Sequence, residues 1–514
     1  APIEVDRYTF KASASLDEVG VHISVPKFEL SNSDISLTGR LLLDFDQGDA
    51  PFMYLRASFD QANAVSKSKY LPVKLLPKKV IRWLDESIKD AEISAGNVLY
   101  HGRLKTIRTL DNESSGGFHV DFQMNNATFM FNPNWATMKK VKSTITFNNF
   151  NFMADISSAN FSQIDDVHGQ VLIPDLTKPI INLNLHANTQ VSSALPTWLS
   201  MPTSKSFRPA FSQLENMSGQ VEINTGLVMP LSKVSNSIIN VGLSFKNAGV
   251  NSAVWDFELQ QLNGDLLITQ NQIFGKDIKA NFFDDPITIN VNRDQIKNKT
   301  LIQADGLIKT QKIMSLLPAY LSKGVSGKSD WQVQFAIDHK QANDGEPSFS
   351  INSQSNLKST KIELPKPFFK PAKISQKTTI AIDIYGNKVI DFDLRYGPNI
   401  AVRGDLGIIE GNAKYQLKSM DVALSTPLRP IVANSGVRLY GFLPTLSIDD
   451  WLEWHQTEIG QFDTKPKTDS NQSEWDVIQF VDLQLQSARV KGQQWSDVDF
   501  FMMQEVDEYL IDIK

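Results

Sequence analysis

A chain of 514 residues, 41% hydrophobic and 21% charged, can bury a large core, and its length alone suggests roughly three or four domains. Its formal net charge of −6, with lysine and arginine scattered along the chain, excludes the clustered basic surface that a nucleic acid needs. It has no cysteine, which excludes disulfides, a thiolate nucleophile and thiolate-bound metal, and no run of about 18 apolar residues that could span a bilayer as a helix.

The chain opens Ala1-Pro-Ile-Glu4, with no initiator Met and no signal-peptide core, so its start reads as a cut end. The clearest helical stretch is Leu76–Ala91, where Pro77 suits a first turn and Val80, Ile81, Leu84, Ile88 and Ala91 form an apolar stripe. Gly96 then leads into a strand that carries Val98, Tyr100 and Leu104. Next come Phe118, Val120, Phe122 and Met124 on one strand face, with His119, Asp121 and Gln123 on the other. A second helical turn, Ser193–Met201, precedes Gly219, the strand Val221–Ile223, and the alternating Ile239, Val241, Leu243 and Phe245. Ile287, Ile289 and Val291 follow. A third helical turn, Lys312–Ser322, precedes Gly327 and the alternating Trp331, Val333, Phe335 and Ile337. Beyond the polar stretch His339–Pro347, strands carry Ile380, Ile382 and Ile384, then Ile390, Phe392, Leu394 and Tyr396. A last helix, Ile448–His455, and a polar stretch, Asp463–Ser473, lead to Tyr509–Lys514, where alternation is still running and the end again reads as cut.

Each alternating run stops at Gly, Asn, Asp or Pro, and alternation of this kind belongs to antiparallel meanders rather than to buried parallel sheets. The order of helix, glycine and strands recurs at roughly 110 to 130 residues, too long for a small solenoid repeat. It suggests modules at 1–190, 191–311, 312–442 and 443–514, continuing one another as a single sheet. The fold class expected is mainly β: an elongated, twisted, largely antiparallel sheet forming an open apolar groove, with a few short amphipathic helices.

Catalytic chemistry is hard to find. The histidines, His22, His101, His119, His168, His186, His339 and His455, show neither helical i, i+4 spacing nor an HExxH motif. His101 and His119 sit on polar strand phases. Gly324–Ser329 resembles a phosphate-binding loop, yet Ser322 stands where its first glycine belongs, and the segment follows a helix and precedes a strand. Carboxylate pairs occur at Asp44/Asp46, Asp284/Asp285, Asp391/Asp393 and Asp449/Asp450. Asp391 and Asp393 alternate against Ile390, Phe392 and Leu394, so both should face solvent. No GxSxG elbow occurs. The expectation is a non-enzyme with no cofactor and no metal.

What remains is apolar surface, with 30 Phe, 9 Trp and 10 Tyr. Such residues can fill closed β-sandwiches of a structural or adhesive protein that binds a protein or polysaccharide. They can equally line one open sheet face against which lipid tails lie, at roughly 0.8 kcal/mol per buried CH₂. Both arrangements demand the same alternation.

Several passages resemble the YhdP-like proteins of the AsmA-like, TamB-related family. They are Tyr70-Leu-Pro72, Val80–Ile88, Gly96–Gly102, Phe129–Trp135 with Thr144–Asn148, Leu317–Gly327 and Ser355–Pro367. These are diffuse packing motifs rather than catalytic signatures, and they cover most of the chain. The resemblance implies a periplasmic segment of a bridge that carries phospholipid between inner and outer membranes and supports the outer-membrane permeability barrier. The family's inner-membrane N-terminal helix and far C-terminal part, which would approach the outer membrane, are not recognised here. The partner implied is phospholipid acyl chains. By strand phase the groove lining would be Val98, Tyr100, Leu104, Phe118, Val120, Phe122, Ile239, Val241, Leu243, Phe245, Val333, Phe335, Ile380 and Ile382.

Overall fold

The structure is a computed structural model of the chain. It describes residues 5–46, 50–63, 81–82, 86–104, 116–130, 136–201, 204–205, 207–212, 214–252, 257–269, 272–314, 324–339, 347–385, 389–408, 415–430, 436–454, 478–504 and 509–514.

Strands dominate, as the period-two runs of apolar residues require. They begin with β1 (Arg7–Leu16), β2 (Gly20–Ser31), β3 (Ile35–Asp46), β4 (Phe52–Asn63), β5 (Ile88–Arg103), β6 (Gly116–Phe129), β7 (Met138–Asn148), β8 (Asn151–Phe161), β9 (His168–Ile173) and β10 (Ile180–Gln190). The chain continues through β11 (Glu215–Pro230), β12 (Ile238–Ser252), β13 (Phe257–Thr269), β14 (Ile273–Phe282), β15 (Asp285–Asp294) and β16 (Lys299–Lys309). Then come β17 (Val325–Ser326), β18 (Lys328–Asp338), β19 (Phe349–Ser355), β20 (Lys361–Ile362), β21 (Thr378–Tyr385), β22 (Val389–Tyr396), β23 (Ile400–Ile408) and β24 (Tyr415–Leu424). The last are β25 (Gly436–Leu443), β26 (Leu446–Ser447), β27 (Ile478–Val490), β28 (Gln493–Gln504) and β29 (Tyr509–Ile513). Among the described residues 27 strands belong to one open sheet, and β17 pairs with β20 in a separate two-stranded one.

Chain neighbours pair antiparallel from β1 to β11. The same holds from β14 through β16, β18, β19 and β21 to β24, and again from β27 to β29. The exceptions are β24 with β25, and β25 and β26 with β27, which run parallel.

The helices are short: α1 (Val191–Ser200), α2 (Arg208–Phe211), α3 (Thr310–Met314) and α4 (Ile448–Trp454). No helix among the described residues is long and apolar enough to cross a membrane. The helix expected over Leu76–Ala91 is helical at Ile81, Arg82, Glu86 and Ser87, and much of its remainder lies outside the described residues. Its end differs from the expectation. Ile88 to Ala91 belong to β5, because Ile88 pairs with Phe129 and Asp90 with Thr128, and the ladder captures the last turn of the stripe. The expected end of the third helix, and His455 of the last, lie outside the described residues, as do most of His339–Pro347 and all of Asp463–Ser473.

The chain divides into two compact units. The first comprises Ala1–Ser204, Gln220–Phe245 and Leu267–Gln272, and the second Lys205–Gly219, Lys246–Leu266 and Ile273–Lys514. In the first, a buried cluster gathers Met124, Met138, Val141, Ile145, Phe152, Ile173, Ile181 and Leu183 from β6 to β10, and a smaller one joins Val25, Phe28 and Ala57.

Candidate functional site

One face of the sheet is apolar because the strand registers align the inward phases of successive strands. In the first unit an unbroken row crosses β1 to β11. It runs Tyr8, Leu30, Leu37, Phe59, Gly96, Phe122, Ile145, Ala154, Val171, Leu183 and Leu227, each paired with the next. Beside it runs Phe10, Phe28, Gly39, Ala57, Val98, Val120, Phe147, Phe152 and Ile173. The row begins exposed, at 67% for Tyr8, and is buried at Phe59 and at Ile145, 8% and 5% exposed.

The second unit repeats the arrangement. A row across its strands runs Ile278, Ile289, Ala304, Val333, Ser353, Ile380, Leu394, Val402, Val422, Leu439, Val481, Met502 and Ile511. Ser353 is its one polar member. At about 4.8 Å per step, this row alone is a path of roughly 58 Å along the sheet. Ile302, Phe335, Ile351, Ile382, Phe392, Gly404 and Met420 form its neighbour.

Glycines in these rows sit opposite phenylalanines. Phe28 pairs with Gly39, Phe59 with Gly96 and Phe392 with Gly404. A Cβ added at the three glycines would stand 2.7, 2.3 and 2.7 Å from the facing ring's Cζ, so each ring lies over its glycine and needs that absence.

The opposite face is polar. In the first unit Ser58 donates to Asn97 Oδ1 at 3.1 Å, and Asn97 donates to Asp121 Oδ2 at 3.0 Å. In the second unit Asp421, 5% exposed, accepts from both ends of the Arg438 guanidinium at 2.6 Å and from Arg403 at 3.2 Å. Arg403 also holds a crossover. Parallel pairing of β24 with β25 obliges the connection after Leu424 to travel back across a face of the sheet. Its described part lies on the polar one at Arg429, whose O accepts from Arg403 at 2.7 Å, whose N–H donates to Tyr440 Oη at 2.7 Å, and whose guanidinium reaches Asp482 at 2.6 Å.

Asp391 and Asp393 lie on the polar face, but half-buried rather than free in solvent. Asp383, Asp391 and Asp405 stand opposite one another on β21, β22 and β23. Burial first, then the neighbouring Asp405 charge, pushes the Asp391 carboxyl above its ordinary range. Burial also carries the Tyr396 hydroxyl up to about 12 and lowers the Lys370 ammonium, which donates to Leu357 O at 2.7 Å and Thr360 O at 2.6 Å. Burial is the first cause of each of these shifts. Gly324–Ser329 enters β17 and β18, with the Lys328 ammonium on the Asp285 carboxylate, so the lysine is already occupied. Among the described residues no three His, Asp or Glu side chains converge as a metal site.

Of the residues expected to line a groove, Phe122, Val333 and Ile380 fall in the long rows, and Val98, Val120, Phe335 and Ile382 in the rows beside them. Tyr100, 2% exposed, pairs with Phe118. Ile239, Val241, Leu243 and Phe245 share one phase of β12 and are half-buried, Ile239 against the first unit's core. Leu104 differs: β5 ends at Arg103, and Leu104 sits in the following turn, 38% exposed. The sequence reading missed the rows' beginnings in β1 to β4, although Leu37, Gly39, Leu41 and Leu43 alternate visibly. It also missed the end at β27 and β28.

Comparison with known proteins bears on this arrangement. A curated relative, "Intermembrane phospholipid transporter YhdP" of Escherichia coli (strain K12), is 20% identical over 414 residues, which is 79% of this chain and 31% of the relative. The chain thus spans about a third of the length of that relative. No solved structure matches. The family model described as "YhdP protein" matches residues 1–513, and the chain therefore belongs to the YhdP family.

Proposed function

We propose that this chain binds phospholipid acyl chains along its apolar rows and conducts them, as a segment of a longer, bridge-like transporter. The observation that carries the proposal is the continuity of the rows, one across eleven strands and one across thirteen. Such a surface needs no single essential residue. Acyl chains gain roughly 0.8 kcal/mol per CH₂ wherever they lie on it. The named function of the E. coli relative supports lipid as cargo.

In this reading the segment works in the periplasm and supports the outer-membrane permeability barrier. Parts of the longer protein beyond it would meet the inner membrane through an N-terminal helix and approach the outer membrane. The reading is non-enzymatic. The rival, a structural or adhesive protein, relied on closed sandwich modules, and the sheet is open.

The test is native mass spectrometry and lipid extraction on the chain purified from a bacterial host. Wild-type protein should carry phospholipid. Val241→Asp and Phe335→Lys should each lower the amount, because an ion in an apolar groove is costly. Full lipid content in both variants, with circular dichroism unchanged, would end the proposal.

A further inference from the structure

The second unit's sheet has two unlike rims. At one, β15 and β16 are joined by a tight turn whose Ile296 is 97% exposed. The other rim receives α3, the segment 356–377 between β19 and β21, and α4. Segment 356–377 holds Lys358, Lys361, Lys366, Lys370, Lys373 and Lys377 against one acid, Glu363. Lys370 is buried on carbonyls, and Lys361 pairs with Glu363. Lys366 and Lys373 are exposed and make no ion pair among the described residues. In a chain whose net charge is −6, this is a local reversal of sign.

Apolar side chains stand among these lysines. Phe369 is 49% exposed and Ile374 55%, and Leu452 on α4 is 48%. Helix and segment are locked together. Trp451 Nε1–H donates to Lys366 O at 3.1 Å, and the Trp451 ring meets Phe368 and Trp454 edge-on, each at 5.8 Å. The acids of α4 oppose this charge only in part. Asp449 is turned away to accept from the N–H groups of Lys491 and Gly492, at 2.6 and 2.8 Å, while Asp450 and Glu453 remain on the helix.

From this juxtaposition we infer that the Lys366–Phe369–Lys373–Trp451 rim is a docking surface for an anionic phospholipid bilayer. Ammonium groups would meet the phosphates, and the exposed Phe369, Ile374 and Leu452 would enter the headgroup boundary. Lysine supplies long-range attraction to an anionic leaflet, while tryptophan and phenylalanine favour the interface itself. A protein partner would not make binding depend on an anionic lipid. The inference goes beyond the acyl-chain reading and does not depend on it, since a rim can meet a membrane whether or not the rows hold lipid.

The experiment is flotation of the full chain with vesicles of phosphatidylcholine, with and without phosphatidylglycerol. Binding should require phosphatidylglycerol and weaken with salt. Lys366→Glu combined with Lys373→Glu should lower it about twentyfold or more, at about fivefold per lysine. Phe369→Ala with Leu452→Ala should weaken it further, and Ile296→Ala at the opposite rim should leave it unchanged. All of these positions are exposed, and melting temperature checks each fold. Phe335→Lys should float as wild type while losing co-purified lipid, so the two proposals fail separately. The docking surface is overturned by absent flotation, by indifference to phosphatidylglycerol, by rim variants that bind normally, or by equal loss in Ile296→Ala.

Discussion

Gly96 shows how much a single missing atom decides in this face. A Cβ there would meet Phe59 Cζ at 2.3 Å and, on the other side, the Asp121 carbonyl oxygen at 2.6 Å, and a backbone atom cannot swing away. Gly96→Ala should cost about 1–3 kcal/mol, read as a lower urea midpoint, as for other overpacked cores. Gly226 is the contrast. Its nearest neighbour would stand 3.7 Å from an added Cβ, so Gly226→Ala should be neutral or slightly stabilising. At Asp391 the sign runs the other way from most carboxylates. Its folded pKa lies above the unfolded one, so its contribution is whole below about pH 4 and is lost as pH rises through the folded value. Asp383, Asp405 and Tyr385 face it, and none supplies a positive charge. Asp391→Asn should therefore raise the melting temperature at pH 7, by a gain of roughly 0.5 kcal/mol given its partial exposure, and the gain should vanish in acid.

Strands were legible wherever alternation was strict, as in β6, β15, β18, β21 and β22, because one apolar face forces period two. They became illegible at bulges. Met124 and Ala127 are both buried although three residues apart, because Asn126, at φ 50°, absorbs the extra residue and resets the phase. Lys140, at φ 52°, does the same between Met138 and Val141 in β7. A period-two reading that passes through such a residue assigns every later side chain to the wrong face. The parallel crossing at β24 and β25 left no local signal either, since it is fixed by Asp421 meeting arginines on two other strands. Removing that carboxylate takes the anion from two guanidiniums, of which Arg438 is only 16% exposed. Asp421→Ala should cost about 2–4 kcal/mol, and hydrogen exchange should rise first in β24 and β25.

For the whole molecule, composition and alternation fixed the class, an open, mainly antiparallel sheet. They could not say whether the apolar phase meets another protein layer. That answer depends on which strands pair, and pairing links residues as distant in sequence as Ile93 and Met124, or Leu183 and Leu227. Single strands therefore revealed fragments of the rows, such as Phe122 or Val333, but not their continuity. If each unit holds lipid along its own row, Val241→Asp and Phe335→Lys should remove separate shares of the bound phospholipid. The double variant should lose the sum, counted directly by native mass spectrometry.

The parallel steps at β24, β25 and β27 also bear on how such a sheet can change length. In a pure meander every strand reverses the chain, so losing one strand would hand each later connection to the opposite rim. Inheritance must then proceed by hairpins, lengthening or shortening the sheet by about 10 Å at a time. Parallel neighbours suspend that parity, since β24, β25 and β27 all finish at the same rim. Among the described residues this is a place where a single strand, about 4.8 Å of sheet, can be gained or lost while the helices that follow keep their side.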